Sequence, residues 1–413
     1  MAPSRYSSGN RYVRSHYMMT YELTNEQRKY FGLDPIESHW DRVTFKGDKY
    51  RAESILYFDK NTIKRHILST ENEYSEKQYN ELTKDRVILL PKTDKGKGKK
   101  LTASVLDTRH PAGVYLSVNC GNLIIGNYTS QTTFYSSSWD NEEQSKKSVS
   151  EIINDFIENS PENHLAEVKD FKKLKRENIK FKSGDYFCFK IDRLNYGFGR
   201  VLLDVKKIRN QKLIDDFHGL NLLMCAPVII ELFACKCKEK SVGINILDNQ
   251  PKLPTDVMMD NLLLYGEFEI IGHREIKDEE FDFPISYGHS IDQRGVVFLQ
   301  WGLIHKELPL EKFCKYVAGE NAFDHNPYGY YSIGFRPHYD SVDVWKTIEN
   351  KGVFSFDNAR EYTSKWDLRN PNNKYIKDEI FKVFGLDATK GYYENSILSS
   401  VKLPSEIIKQ LKI

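Results

Sequence analysis

Gly184-Asp185-Tyr186-Phe187-Cys188-Phe189-Lys190-Ile191, followed after Asp192 to Asn195 by Tyr196-Gly197-Phe198-Gly199-Arg200-Val201-Leu202, reads as a β-hairpin. A Gly-Asp turn enters a strand whose apolar face carries Phe187, Phe189 and Ile191. Residues 192–195 supply the reversal, and the returning strand has glycine at 197 and 199. Glycine inside a strand marks a bulge, a tight bend or the close approach of another part of the chain. Two glycines flanking Phe198 therefore predict a strongly bent strand of the kind found in barrels. The spacing is not that of a nucleotide-binding glycine loop, because no third glycine follows in place and no helical pattern comes after it.

Outward from the hairpin, residues 177–315 continue as strands, and residues 50–140 show the same habit. Ile55-Leu56-Tyr57-Phe58, Val87-Ile88-Leu89-Leu90, Val114-Tyr115-Leu116-Ser117-Val118, Leu123-Ile124-Ile125 and Thr132-Thr133-Phe134-Tyr135 are short runs bounded by Gly, Asn and Pro. That is the pattern of a sandwich or barrel. Glu71 to Leu82 reads as helix or loop instead. Thr24-Asn25-Glu26-Gln27 predicts a helix start. Between the strand-rich parts, Val149, Ile152, Ile153, Phe156 and Ile157 fall at helical spacing, and Leu165, Val168, Phe171 and Leu174 recur every three residues. Near the end, Ile376 to Phe384 reads as a helix closed by Gly385. Ser405 to Ile413 reads as a terminal helix, with Pro404 before its N-cap. The expected fold is α+β and β-rich, with two barrel- or sandwich-like domains (21–140 and 177–315) joined by a helical connector (141–176). A flexible basic leader (1–20) precedes them and a mixed α/β extension (316–413) follows.

The hairpin residues resemble the immunity protein 26 family of bacterial polymorphic-toxin systems. Members carry a Gly-Asp strand, then a Tyr-Gly-x-Gly-Arg-Val strand, then a Gly-aromatic-x-x-Ile-Gly strand. The matching positions here are Gly184 and Asp185, then Tyr196, Gly197, Gly199 and Arg200, then Gly266 and Gly272 within Leu264 to Gly272. Pro284 after Phe281-Asp282-Phe283 fits the same pattern. The likeness spans roughly residues 177–310 and does not extend to 21–140 or 316–413. It implies a non-catalytic, cytoplasmic protein that binds a bacterial toxin or effector protein and blocks it. It also implies that the motif residues are scaffold rather than contact surface.

No pattern for catalysis or metal binding stands out. There is no Gly-x-x-x-x-Gly-Lys-Ser/Thr, no His-Glu-x-x-His, no Gly-x-Ser-x-Gly elbow and no paired-cysteine metal spacing. No cofactor is expected, and Cys235-Lys-Cys237 reads as two strand cysteines. Glu167-Val168-Lys169 has the residue types of a nuclease site but falls in a predicted helix. Six cysteines in 413 residues suit reduced thiols better than a disulfide framework. The longest apolar stretch, Leu222 to Cys235, is broken by Pro227 and Glu231 and is too short for a membrane span.

Two segments remain as candidate binding elements. Phe323 to Tyr331 offers His325, Tyr328, Tyr330 and Tyr331 in a Pro/Gly loop, and tyrosine gives contact area at low entropic cost. The same loop also reads as packing against a neighbouring domain. The run Lys92 to Lys100 places Lys95, Lys97, Lys99 and Lys100 around two glycines. It reads either as a solvated hairpin tip or as a loop for phosphate or an acidic partner. The net charge is +2, and Arg5, Arg11 and Arg14 in the leader account for the excess. A near-neutral body is not the profile of a dedicated duplex-binding protein. Nucleic-acid binding through the lysine loop and exposed aromatics is the alternative to the toxin-binding reading.

Overall fold

A computed structural model describes residues 21–119, 122–137, 147–223, 225–290, 295–317, 341–356 and 367–411. The chain forms two compact units, Met1–Leu174 and Lys175–Ile413. The leader, 1–20, lies outside the described residues.

The N-terminal unit opens with α1 (Asn25–Tyr30), whose N-cap Thr24 and Gln27 form a reciprocal capping box at the expected start. Its strands are β1 (Asp41–Phe45), β2 (Ser54–Asp59), β3 (Thr62–Ser69), β4 (Glu73–Lys84), β5 (Ile88–Leu89) and β6 (Lys99–Lys100). After the short α2 (Ala103–Leu106) come β7 (Ala112–Asn119), β8 (Asn122–Asn127) and β9 (Thr132–Ser136). They form an antiparallel sheet in the order β1-β2-β3-β4-β7-β8-β9, and β5 and β6 extend sideways from the end of β4. Then come α3 (Val149–Glu158) and α4 (His164–Lys173). They belong to the segment read as a connector, and their buried faces pack on this sheet. Val149, Ile152, Ile153, Phe156 and Phe171 share one core with Ile55, Ile67, Leu116 and Ile125.

Two sequence expectations change here. Glu71 to Leu82 is not helix or loop but most of β4, the longest strand of this sheet. Its inward positions include Glu76 and Glu81 beside Tyr74 and Tyr79, so the period of two is masked by buried charge. Glu76 is fully buried. It accepts from Arg28 Nε at 2.9 Å and from the Tyr74 hydroxyl at 2.5 Å, and Arg65 Nε stands 3.4 Å away. A buried carboxylate is tolerated when cations and donors surround it in this way. In α4 the inward stripe is His164, Val168 and Phe171, at i, i+4 and i+7, whereas Leu165 and Leu174 are exposed. A spacing of three drifts off the face of a 3.6-residue helix, so the expected run of four splits.

The C-terminal unit holds β10 (Asp185–Lys190), β11 (Tyr196–Asp204), α5 (Val205–Asn210), β12 (Pro227–Cys237), α6 (Ile244–Asp248), β13 (Asp256–Met259), α7 (Asn261–Leu264) and β14 (Glu269–His273). A five-stranded antiparallel sheet runs β13-β12-β11-β10-β14. Three further strands, β15 (Ile285–His289), β16 (Val296–Trp301) and β17 (Ile304–Pro309), form a separate antiparallel sheet. Four α-helices follow among the described residues: α8 (Ser341–Glu349), α9 (Lys374–Val383), α10 (Tyr392–Leu398) and α11 (Pro404–Gln410). Gly385, with φ +68°, follows α9 where the sequence places it, whereas α11 begins one residue earlier than expected, with Leu403 as its N-cap and Pro404 as its first residue. Trp301 and Tyr287 of the second sheet share a core with Ile376, Phe381 and Tyr392 of the terminal helices and with Leu202 and Ile229 of the first. The terminal segment is thus built into the core of its unit. Among the described residues each of the three sheets is an open path, so the β-rich α+β expectation holds with open sheets in place of closed barrels.

Candidate partner-binding scaffold

The predicted hairpin is β10–β11, and its register explains both glycines. Phe187 faces Gly199, and Phe189 faces Gly197. A Cβ on Gly199 would stand 2.4 Å from the Phe187 ring, and one on Gly197 would stand 2.8 Å from Phe189. The glycines make room for cross-strand rings, which lie over the bare backbone and reach Phe268 beyond. β11 is irregular as well, with register shifts against β12 at Tyr196/Phe198 and Val201/Leu203. Asp192 closes the reversal by accepting from the amides of Leu194 and Asn195 at 2.6 and 2.7 Å. Both faces of β10 are covered: Phe187 and Phe189 on one side, Tyr186 and Cys188 on the other.

Of the remaining motif residues, Gly184, Asp185 and Gly272 meet where β14 ends against β10. Gly184 has φ +91°, and a Cβ there would stand 2.4 Å from the carbonyl oxygen of Arg274, so this crossing requires glycine. The Gly184 carbonyl accepts from the Arg274 amide at 3.0 Å. Asp185 Oδ1 meets His273 Nδ1 at 2.7 Å, and its Oδ2 accepts from the Lys182 amide at 2.8 Å. Gly272 lies under Ile244, whose Cδ1 would be 2.5 Å from an added Cβ. Gly266, with φ +77°, follows the C-cap of α7 in the left-handed conformation that glycine favours. Tyr196 is half-buried, with Lys190 and Lys240 each within 6 Å of its ring centre, at 5.7 and 5.8 Å.

Arg200 is the centre of this corner. It is fully buried, opposite Glu231 in the β11–β12 register, with Nη1 3.6 Å from that carboxylate and 3.3 Å from Glu280. Its Nη2 donates to the carbonyls of Arg274 and Glu275, both at 3.2 Å, and its guanidinium lies 5.0 Å from the Tyr186 ring centre. Lys252 neutralises Glu231 from the other side at 3.0 Å. Arg274 then bridges Asp248 at 2.7 Å and Glu280 at 2.6 Å, and the Tyr186 hydroxyl donates to Asp248. Hydrogen bonding from Arg274 is the main reason the Glu280 carboxyl is held down at about 2. Burial, with Asp248 as hydrogen-bond partner, pushes the Tyr186 phenol up to about 12. Burial also raises Glu231, against the pull of Lys252 and Arg200. The network is deep at Arg200 and reaches solvent at His273, Arg274, Asp248 and Glu280, each about a quarter to a third exposed.

These groups spend most of their charges and donors on each other and on backbone carbonyls, with the buried Arg200 Nε left without a hydrogen bond. What the arrangement does is fix the turn after β14 and the strands beneath it. Among the described residues no group of three or more His, Cys, Asp or Glu is placed to hold a metal. The described cysteines, Cys188, Cys225, Cys235, Cys237 and Cys314, are free, and Cys235 and Cys237 lie half-buried at the end of β12. No helix among the described residues is long and apolar enough to cross a membrane.

Sequence reasoning singled out Gly184, Asp185, Tyr196, Gly197, Gly199, Arg200, Gly266 and Gly272, and the structure gathers Gly184, Asp185, Gly199, Arg200 and Gly272 at or beside this corner, with Tyr196 and Gly197 toward the reversal and Gly266 after α7. It missed Glu231, Lys252, Asp248, Arg274 and Glu280. A signal existed for one of them. Arg200 and Glu231 each stand as a lone charge in an apolar strand, and opposite charges at such positions can be paired across neighbouring strands. Lys95, Lys97, Lys99 and Lys100 lie exposed on and before β6 in the N-terminal unit. His325, Tyr328, Tyr330 and Tyr331 lie outside the described residues.

Residues 182–294 match the family model of immunity protein 26, a little over a quarter of the chain. The matched span contains β10 to β15, hence the whole five-stranded sheet and the Arg200 corner. No curated protein and no solved structure matches the chain.

Proposed function

We propose that this chain is an immunity-type binding protein that neutralises a bacterial toxin or effector by direct protein–protein contact. The observation that supports the reading is the coincidence of the family match with one structural body: the matched residues make a complete sheet pinned by the Arg200 network. A buried cluster of paired charges costs desolvation and holds one geometry, which suits a preformed binding surface. No catalytic step is required, and no cofactor. The proposed site of action is the cytoplasm, where an immunity protein meets its toxin. Residues 177–315 are the proposed partner-directed domain, with the terminal helices completing its core.

The test is affinity capture from the native bacterial lysate, with and without nuclease, followed by co-expression with the recovered partner. A near-stoichiometric partner that survives nuclease and whose toxicity is relieved by this chain supports the reading. Recovery of no protein partner, together with no protection on co-expression, sinks it. Partners lost on nuclease treatment would favour nucleic-acid binding instead.

A further inference from the structure

The N-terminal unit lies outside the matched residues and carries a surface of its own. β4, β5 and β6 form a small three-stranded ribbon at the far end of the sheet. Its register sets Lys84 against Ile88 and Ile88 against Lys100, with Leu90 donating its amide to the Leu82 carbonyl at 3.0 Å. One face is interior: Leu89 is fully buried in a cluster with Phe58, Ile63 and Leu106. Because side chains alternate along a strand, the other face gathers Leu82, Ile88 and Leu90 with Lys84 and Lys100. Leu82 is 53% exposed, and Ile88 and Leu90 are partly so. Gly98 has no side chain to compete with Ile88, whose Cγ2 lies 2.7 Å from where its Cβ would be. Lys95 and Lys97 are exposed in the loop before β6.

The charge on this ribbon is unbalanced. Lys84, Lys95, Lys97, Lys99 and Lys100 have no ion pair among the described residues, whereas Lys92 nearby is held by Glu81 at 2.9 Å. Lysine on an edge strand discourages unwanted strand pairing, which accounts for Lys99 and Lys100 on β6. It does not account for Lys84, Lys95 and Lys97, nor for an exposed aliphatic strip between them. An apolar centre ringed by charge is the anatomy of a protein interface. Single-stranded nucleic acid would call for aromatic stacking platforms, and this face offers leucine and isoleucine.

We infer that the β4–β5–β6 ribbon is a docking surface for an acidic protein face, one that presents aliphatic side chains ringed by carboxylates. The inference is independent of the toxin-neutralising reading, since it concerns the unmatched unit and its test uses no toxin.

The full-length chain would be titrated by fluorescence anisotropy with three labelled probes of 18 units. One is a helical peptide with leucine on one face and glutamate on the other, one is an all-glutamate peptide, and one is oligothymidylate. The amphipathic peptide is expected to bind most tightly, about tenfold better than the all-glutamate peptide, a difference of about 1.4 kcal/mol. Raising the salt from 50 to 500 mM should weaken it. Combined Lys95→Glu, Lys97→Glu, Lys99→Glu and Lys100→Glu should abolish it. The loop-only variant Lys95→Gln/Lys97→Gln, which touches no strand, should weaken it without changing Tm. Leu82→Ser should erase the advantage over all-glutamate. Failure of the amphipathic peptide to bind at 50 mM salt overturns the inference. So does oligothymidylate binding as tightly as the peptide, or binding indifferent to both lysine variants.

Discussion

Replacing Gly199 by alanine adds one methyl group at the most crowded point of the hairpin. The new Cβ would stand 2.4 and 2.8 Å from two atoms of the Phe187 ring and 2.9 Å from the Glu231 carbonyl oxygen. Phe187 cannot swing away freely, because it is fully buried and stacked on Phe268 at 5.5 Å between ring centres. Overpacking of this kind costs about 1–3 kcal/mol. Alanine in place of glycine would by itself stabilise by about 0.4–1 kcal/mol through the unfolded chain. The expected net loss is therefore about 1–2 kcal/mol. In a body the size of the C-terminal unit that lowers Tm by about 2–8 °C. The assay is thermal and urea unfolding of the full chain, following the transition of the unit that contains Trp301 and Trp345. Phe187→Leu in the same background should recover part of the loss, because it removes the ring from the clash and leaves only the carbonyl contact. Coupling between the two sites should exceed about 0.5 kcal/mol. Gly199→Ala without cost, or strict additivity with Phe187→Leu, would refute the claim that this glycine exists to admit the ring.

Two further outcomes follow from the same unit. Arg200→Met should destabilise by about 3 kcal/mol, the low end for a broken buried pair, since Lys252 still neutralises Glu231; adding Glu231→Met should restore part of it, and a double variant no better than the single would count against the pairing. His218, held at about 4 by burial, has Nε2 3.1 Å from the Leu303 carbonyl while Nδ1 accepts from the Leu220 amide at 3.2 Å, an arrangement that needs the neutral ring. Its folded value lies below its ordinary 6.5, so the stability it contributes is whole above pH 6.5 and is lost as the pH falls toward 4. His218→Gln should flatten the dependence of unfolding free energy on pH across that window, and an unchanged slope would assign the acid sensitivity elsewhere.

The hairpin, the helix start at Thr24, the glycine stop at 385 and the β-rich character were legible because each depends on neighbours in the chain. Turn chemistry, capping and the period of apolar residues act over a few positions, and a one-dimensional reading captures them. The family likeness was legible for the same reason, resting on residues clustered within β10, β11 and the segment through β14. β4 was not legible, because Glu76 and Glu81 occupy inward positions that only Arg28, Arg65, Lys92 and Arg109, brought from other elements, make tolerable. The purpose of Gly197 and Gly199 was equally hidden: the sequence announces a strand with missing side chains, and only the register reveals that Phe189 and Phe187 fill the space. The Arg200 corner draws Asp248, Arg274 and Glu280 from 48 to 80 residues away, with separations set by the folded chain. Local backbone preference is written residue by residue, whereas the satisfaction of a buried charge is decided by whichever distant groups the packed core delivers to it.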